Sequence, residues 1–416
     1  MLFNQTTLLV GPVALLLGCA TACAETLEQI TSEALRRNPE LQVFEQSVAA
    51  AKGGVRAART LSNPELSVGP GVRENVASNG PPKAGFNGTF ELNQLFLFPG
   101  KRALNIAIAE RNVDVSRVAL EGFRFQIAAK VRQAFYGLLA GQKIVAVRKE
   151  QVESAKTFVE SAKKRAEAGY ASDFETIKSQ ADLIAASKAL QQAEGRVITG
   201  RVTLNTLLGR DPARPLEITG TLDNAAPRGG AADFLALAMA RNPALRTQAL
   251  QAESAGLNLR LTCFGRRPDF SLGPAIEYSQ NAGERVYAFR ATVALPLWDQ
   301  KRGPTETATA EEAKALASIE KTRLEISGAV TAAAANLEIA RTQLSLYTPT
   351  FLDQLKNLMA QAEQGYAQNL TTLLIYLDAK RTYFDTLVDY YESLSKVAES
   401  RADLESAVGI PLDQKP

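Results

Sequence analysis

Apolar positions recur along this chain at two different periods, and blocks of each alternate. In one kind of block they fall at every second residue, as in a strand with one apolar face. Leu66, Val68 and Val72 form one such set, and Phe86, Gly88, Phe90 and Leu92 another. Phe270, Leu272, Ile276 and Tyr278 share a third face; Tyr287, Phe289, Ala291, Val293, Leu295 and Leu297 share a fourth. These sets predict strands over 61–73, 84–98, 268–280 and 284–298, joined in pairs by loops rich in Gly, Asn and Ser.

In the other kind of block the spacing is seven. Val131, Leu138, Val145, Val152, Val159 and Ala166 keep it strictly, and Ala134, Gly141, Arg148, Ala155 and Ala162 follow three places later. Leu183, Leu190, Val197 and Leu204 repeat the logic on a returning helix. Val330, Leu337, Leu344, Phe351 and Leu358, then Tyr376, Tyr383, Tyr390, Val397 and Leu404, do so again. A sustained 3.5-residue period means helices that coil around one another, and the small residues let their backbones approach closely. The tyrosine stripe is read as part of that packing seam. No proline lies between Pro99 and Pro212, so the helices can be very long. Lys101 to Ala168 alone would measure roughly 100 Å. Helical hairpins are predicted over 101–208 and 304–408, reversing at Gly169 and Gly365, where φ > 0 is expected. Pro349 should bend the second hairpin near Tyr347-Thr348-Pro349, and the first hairpin has no counterpart.

The chain reads as one unit written twice. Asn38-Pro39-Glu40-Leu41 returns as Asn242-Pro243-Ala244-Leu245, and Pro64-Glu65-Leu66-Ser67 as Pro268-Asp269-Phe270-Ser271. Glu167-Ala168-Gly169-Tyr170-Ala171 returns as Glu363-Gln364-Gly365-Tyr366-Ala367, and Leu208-Gly209 as Val408-Gly409. The repeats are placed at 25–210 and 231–416, with 211–230 as a linker. Residues 1–24 carry no charge and hold a short apolar run, which reads as an export leader. Two cleavage readings stand: after Ala22-Cys23-Ala24, or at a lipobox-like Leu16-Leu17-Gly18-Cys19 that would leave Cys19 lipidated.

Four strands cannot close a barrel, and open edges are not tolerated in lipid. Phe96, Phe98 and Trp298 lie near the strand–helix junctions, like the interfacial aromatics of an outer-membrane barrel. The sheet is therefore expected to be shared. Two copies give eight strands around a filled lumen; three give twelve around a water-filled bore, which favours a cyclic trimer.

Composition narrows the chemistry. The 416 residues include no histidine, 3 Cys and 3 Met. That excludes His-based relays and HExxH zinc sites and leaves almost nothing for soft-metal clusters. No phosphate loop or dinucleotide fingerprint is present. No catalytic residue, cofactor or bound metal is expected. Lys+Arg 47 against Asp+Glu 44 is too even for a nucleic-acid partner.

The duplicated Asn-Pro segments, the strands, Phe98-Pro99-Gly100-Lys101-Arg102 and the paired Glu-x-Gly-Tyr turns resemble the TolC-type outer-membrane efflux family. Within it, the run from Leu61 to Arg102 is most similar to the cobalt-zinc-cadmium branch. The resemblance implies a mainly α fold with membrane β: a homotrimer whose strands form a shared twelve-strand barrel above a periplasmic α-barrel. It implies a passive exit duct in the outer membrane, docked on a periplasmic adaptor (membrane fusion) protein and an inner-membrane efflux transporter. It also implies that the adaptor docks on Arg165, Gly169, Tyr170, Ala171 and Ser172 of one tip, and on Gly365, Tyr366 and Ala367 of the other. A tyrosine at a hairpin apex should have little of its own chain to pack against, leaving its ring for that partner. No carboxylate follows the second turn in 368–374, against the acidic mouth ring of some relatives, while Asp173 and Glu175 after the first turn suit a helix N-terminus. Arg148 could pair with an acidic group on a neighbouring helix, but the favoured reading is that it points outward to solvent. The rival readings are an adaptor, an outer-membrane enzyme, and the same duct serving type I protein secretion.

Overall fold

A computed structural model of the chain describes residues 24–75, 83–169, 172–222, 227, 229–280 and 283–412. The leader, Cys19, Tyr170 and Ala171 lie outside the described residues. The elements run α1 (Leu27–Arg37), α2 (Pro39–Arg59), β1 (Glu65–Asn75), β2 (Lys83–Phe96), α3 (Lys101–Glu167) and α4 (Asp173–Leu207). The same order follows in α5 (Ala231–Arg241), α6 (Pro243–Phe264), β3 (Phe270–Ser279), β4 (Glu284–Val293), α7 (Arg302–Ser345), α8 (Pro349–Ala367) and α9 (Leu373–Val408). No described helix is long and apolar enough to cross a membrane.

The repeated motifs meet in pairs. Asn38 caps α2, its Oδ1 accepting from the Leu41 N–H at 3.1 Å, while its Nδ2 donates to the Leu207 carbonyl at 2.8 Å. Asn242 does the same for α6, accepting from Ala244 and donating to the carbonyls of Ala407 and Val408. The glycines that end α4 and α9 sit against these caps at positive φ. A Cβ on Gly209 would meet the Arg37 carbonyl at 2.8 Å, and one on Gly409 would meet Pro243 at 2.8 Å. Each Asn-Pro and each terminal glycine thus form one joint, where a short helix, its successor and a returning helix converge.

The strands make one antiparallel sheet in the order β1-β2-β3-β4. The register Val68↔Phe90↔Ile276↔Tyr287 puts the predicted apolar positions on one face, where most of the large ones are exposed. The other face holds Ser67, Gly69, Thr89, Ala275, Ala288 and Thr292, with Arg290 bound to Glu91 at 2.8 Å and Glu277 at 3.0 Å. Among the described residues both outer edges, β1 and β4, are unpaired. The last strand stops at Val293, opposite Phe270 where β3 begins, rather than reaching 298.

The long helices form an open layer in which α3 packs on α4 and α9, and α9 on α7 and α8. The first arm is unbroken for 67 residues. The other arm is interrupted outright where a bend was expected. Thr348 caps the new helix by accepting from the Phe351 N–H, and Pro349 takes its first position. The interruption moves the seam. Val330, Leu337 and Leu344 are buried, but Phe351 and Leu358 are exposed, and Leu355 and Ala362 fill the interior instead. Four places of phase are lost at the break, so the expected heptad does not continue through it.

Candidate functional site at the hairpin tips

The lower ends of the two hairpins bring most of the predicted site residues together. At the first tip α3 ends at Glu167, and Gly169 adopts φ 75 with its N–H bonded to the Ala166 carbonyl at 3.0 Å. Ser172 starts α4 through its carbonyl, which accepts from Glu175 and Thr176, and its side chain makes no cap. Asp173 and Glu175 lie in the first turn of α4, as the helix dipole favours.

The second tip is built differently. The helix continues through Gly365 to Ala367, and the left-handed residue is Asn369 at φ 59. Gly365 serves a close approach: its carbonyl accepts from Leu370 at 2.7 Å and from Thr371 at 3.2 Å. A Cβ there would lie 2.8 Å from the Thr371 methyl. The expectation of φ > 0 at both glycines is corrected at this position.

Arg165 ties the tips together. Its Nη2 donates to Asn369 Oδ1 at 2.6 Å and its Nη1 to the Tyr366 carbonyl at 3.4 Å. Its guanidinium lies 4.9 Å from the centre of the Tyr366 ring, and its Nε is 3.7 Å from Glu175. Tyr366, expected to be free, is only 7% exposed. Its ring stacks on Tyr376 at 5.2 Å and meets the edge of Phe158 at 5.7 Å. The reason is the phase shift above: the break at 346–348 turns α8 so that Leu355, Ala362 and Tyr366 face the layer.

One turn further in, Lys380 is 2% exposed and pairs with Asp182 of α4 at 2.9 Å, flanked by the rings of Phe158 and Tyr376. Burial, and then the nearby Glu363 charge, push the Tyr376 hydroxyl up to about 12, so it stays a neutral packing group. The tyrosine stripe is a seam here, with Tyr376 and Tyr383 buried and Tyr390 partly so. Arg148 does not point outward. It bonds Asp385 of α9 at 3.1 Å and Gln151 at 2.7 Å, because the neighbouring helix offers a carboxylate within reach. With the Arg132–Glu405 and Arg196–Glu392 ion pairs higher up, these contacts join one hairpin to the other.

The exposed tip surface is apolar, and periodicity alone misses it. Phe174 is 64% exposed, Leu370 is 75% exposed, and Ile177, Leu374 and Ile375 are open beside them. The available signal is that Phe174 and Ile177 fall outside the Leu183-Leu190-Val197 row, on a face that no intrachain partner needs. The same face continues up α4 as the exposed Ile184 and Ile198.

Residues 30–210 and 234–410 match the family described as outer membrane efflux protein. The chain is 23% identical over 384 residues to the cobalt-zinc-cadmium resistance protein CzcC of Cupriavidus metallidurans, covering 92% of this chain and 90% of that one. It is 25% identical over 309 residues to the nickel-cobalt-cadmium resistance protein NccC of Alcaligenes xylosoxydans xylosoxydans, covering 72% and 67%. Among solved structures, the CmeC outer membrane channel of Campylobacter jejuni superposes with a TM-score of 0.78 at 16% identity, over 94% of this chain and 87% of that one.

Proposed function

This chain belongs to the outer membrane efflux protein family, and from that premise we propose that it is the exit duct of a tripartite pump that expels toxic metal cations. Three copies close a twelve-strand barrel in the outer membrane and a helical tunnel beneath it. The observation that carries this reading is the four-stranded sheet, apolar on one face and edged by two unpaired strands. Such a sheet is satisfied in lipid only when neighbouring copies complete the ring. The uncovered apolar margin of α4 and the exposed Phe351 and Leu358 of α8 support lateral contact between copies in the same way.

The duct does no bond chemistry; its action is to open and shut. The Arg165–Asn369, Lys380–Asp182 and Arg148–Asp385 contacts hold the hairpins of one copy together, so parting them means breaking charged bonds in partly dry surroundings. A periplasmic adaptor docks on the tips around Arg165, Gly169, Ser172, Gly365 and Ala367. Its apolar purchase comes from Phe174, Ile177, Leu370 and Leu374. Tyr366 shapes the tip from within. The metal substrate is argued from the two resistance proteins this chain resembles.

The test is growth in cobalt, zinc or cadmium of cells that carry the matching transporter and adaptor. Deleting this chain should abolish resistance, and the chain supplied in trans should restore it. Phe174→Ser combined with Leu370→Ser should lose resistance at unchanged outer-membrane abundance. Full resistance without the chain would refute the proposal, and secretion of a protein substrate lost in its place would favour the type I alternative.

A further inference from the structure

The four strand–helix junctions gather at one end of the sheet, and their charge is one-sided. Segments 59–65, 96–102, 264–270 and 293–302 hold seven Lys and Arg against three Asp and Glu. The acids are largely used up internally. Asp269 accepts from Lys101 Nζ at 2.9 Å and from the Phe98 N–H at 2.7 Å, and Asp299 pairs with Lys301. Arg59 is held by Glu110 of α3. Four exposed guanidinium groups remain: Arg102, Arg266, Arg267 and Arg302. Among the described residues none of them has a carboxylate partner. Arg102 donates to the Arg59 carbonyl, Arg266 to the Gln300 carbonyl at 3.1 Å, and Arg302 to Gln300 Oε1 at 3.3 Å. Arg267 lies over the Phe264 and Phe98 rings at 4.5 and 5.1 Å, which leaves its N–H edge for another acceptor.

Beside this belt stands the chain's single tryptophan, Trp298, 91% exposed, at the end of the apolar run Leu295-Pro296-Leu297. The opposite end of the sheet lacks the bias, with Arg73, Lys83 and Arg285 set against Glu74 and Glu284. An amphipathic indole next to unpaired guanidiniums, at the border of an apolar sheet face, has the chemistry of a lipid headgroup layer. Arginine forks match phosphate oxygens in pairs.

We propose that the junction belt binds the phosphates of anionic phospholipids in the leaflet from which the helices emerge, with Trp298 seated among the same headgroups. The proposal rests on the outer-membrane reading above. The belt then sets how deep the barrel sits, and it holds the hinge between sheet and helices against the membrane surface.

The single tryptophan reports on both parts. The full-length assembled protein is placed in vesicles of phosphatidylcholine containing a minor fraction of phosphatidylglycerol, with acyl-chain bromines on one lipid or the other. Brominated phosphatidylcholine as the bulk lipid should quench Trp298, more from shallow bromines than from deep ones. At matched amounts, brominated phosphatidylglycerol should quench it at least ~3-fold more efficiently, as expected for several arginines near an anionic surface, and high salt should erase the excess. Arg266→Gln with Arg302→Gln should bring the ratio to about one while leaving quenching by phosphatidylcholine intact. The corresponding Arg→Lys pair should keep part of the excess, which separates lost charge from lost folding. Equal quenching by the two lipids in the unaltered protein would overturn the belt while sparing the membrane reading. No quenching by either would overturn both.

Discussion

At the first tip the chain reverses on Gly169; at the second the helix runs two residues past Gly365 and the chain reverses on Asn369. The signature Glu-x-Gly-Tyr-Ala is shared, but its work is not. One glycine supplies a backbone conformation and the other supplies room for Thr371. The difference begins nineteen residues upstream of the helix end, since α8 spans 19 residues from Pro349 and is phased afresh by the break before it. A duplicated sequence is therefore a guide to architecture and a poor guide to what each copy of a residue touches. The second tip is also the better packed. Tyr366, Tyr376, Phe158 and Lys380 make an aromatic and charged core, whereas Phe174 and Ile177 at the first tip stay outside.

The largest effect should come from the charge in that core. Asp182→Ala leaves the buried Lys380 ammonium unpaired, which should cost roughly 3 kcal/mol or more. Replacing both residues by apolar ones of similar size should recover most of it. Thermal unfolding of the purified protein, with hydrogen exchange resolved over α8 and α9, measures both. Next, Tyr366→Ser should cost about 3 kcal/mol by emptying the ring's place, while Phe174→Ser should stay within about 0.5 kcal/mol. Equal costs for the two would break the contrast between an internal tip and a presented one.

Much of the architecture was legible from residue patterns. The alternating sets share one face of the sheet, and α3 runs unbroken as the absence of proline allows. The element ends were less legible, because β1 starts only after Pro64 and β4 ends where its partner strand begins, neither of which apolar alternation alone reveals. At the tips the pattern located the turns but not the contacts. The expectation for Tyr366 and the favoured reading of Arg148 failed for one reason: burial depends on which neighbour a helix face meets, and Phe158 and Asp385 come from parts of the chain far away in sequence. The exposed Phe174 and Leu370 carried a readable signal, apolar residues off the seam, that a heptad count discards.

The two glycines sharpen the comparison at smaller magnitude. Gly365→Ala should cost about 1–3 kcal/mol through its clash with the Thr371 methyl, and Thr371→Ser should relieve much of that cost. Gly169→Ala should cost about 1 kcal/mol through its positive φ, and no change at position 371 should rescue it. A double-mutant cycle on thermal stability distinguishes the two origins.

The smallest effect lies far from the tips, where the copies also differ. Arg210 binds Glu25 at 2.9 Å and also Glu33, tying the start of the described chain to the end of α4. Arg210 holds the Glu33 carboxyl below the ordinary glutamate value of 4.5. A carboxyl with a lowered folded-state pKa adds stability above its unfolded value and loses it as pH falls through the folded one. Stability from this clasp should therefore be level from neutrality down to about pH 5 and then fall below the ordinary glutamate range. Glu33→Gln should flatten the fall, and melting curves across the acid range would register it.

The most direct measurement is the native mass of the protein extracted from the outer membrane in a mild detergent. The unpaired edges of β1 and β4 predict a complex of three copies, which persists until the sheet unfolds. A folded monomer or dimer as the stable species, with the four-stranded sheet intact, would contradict the account.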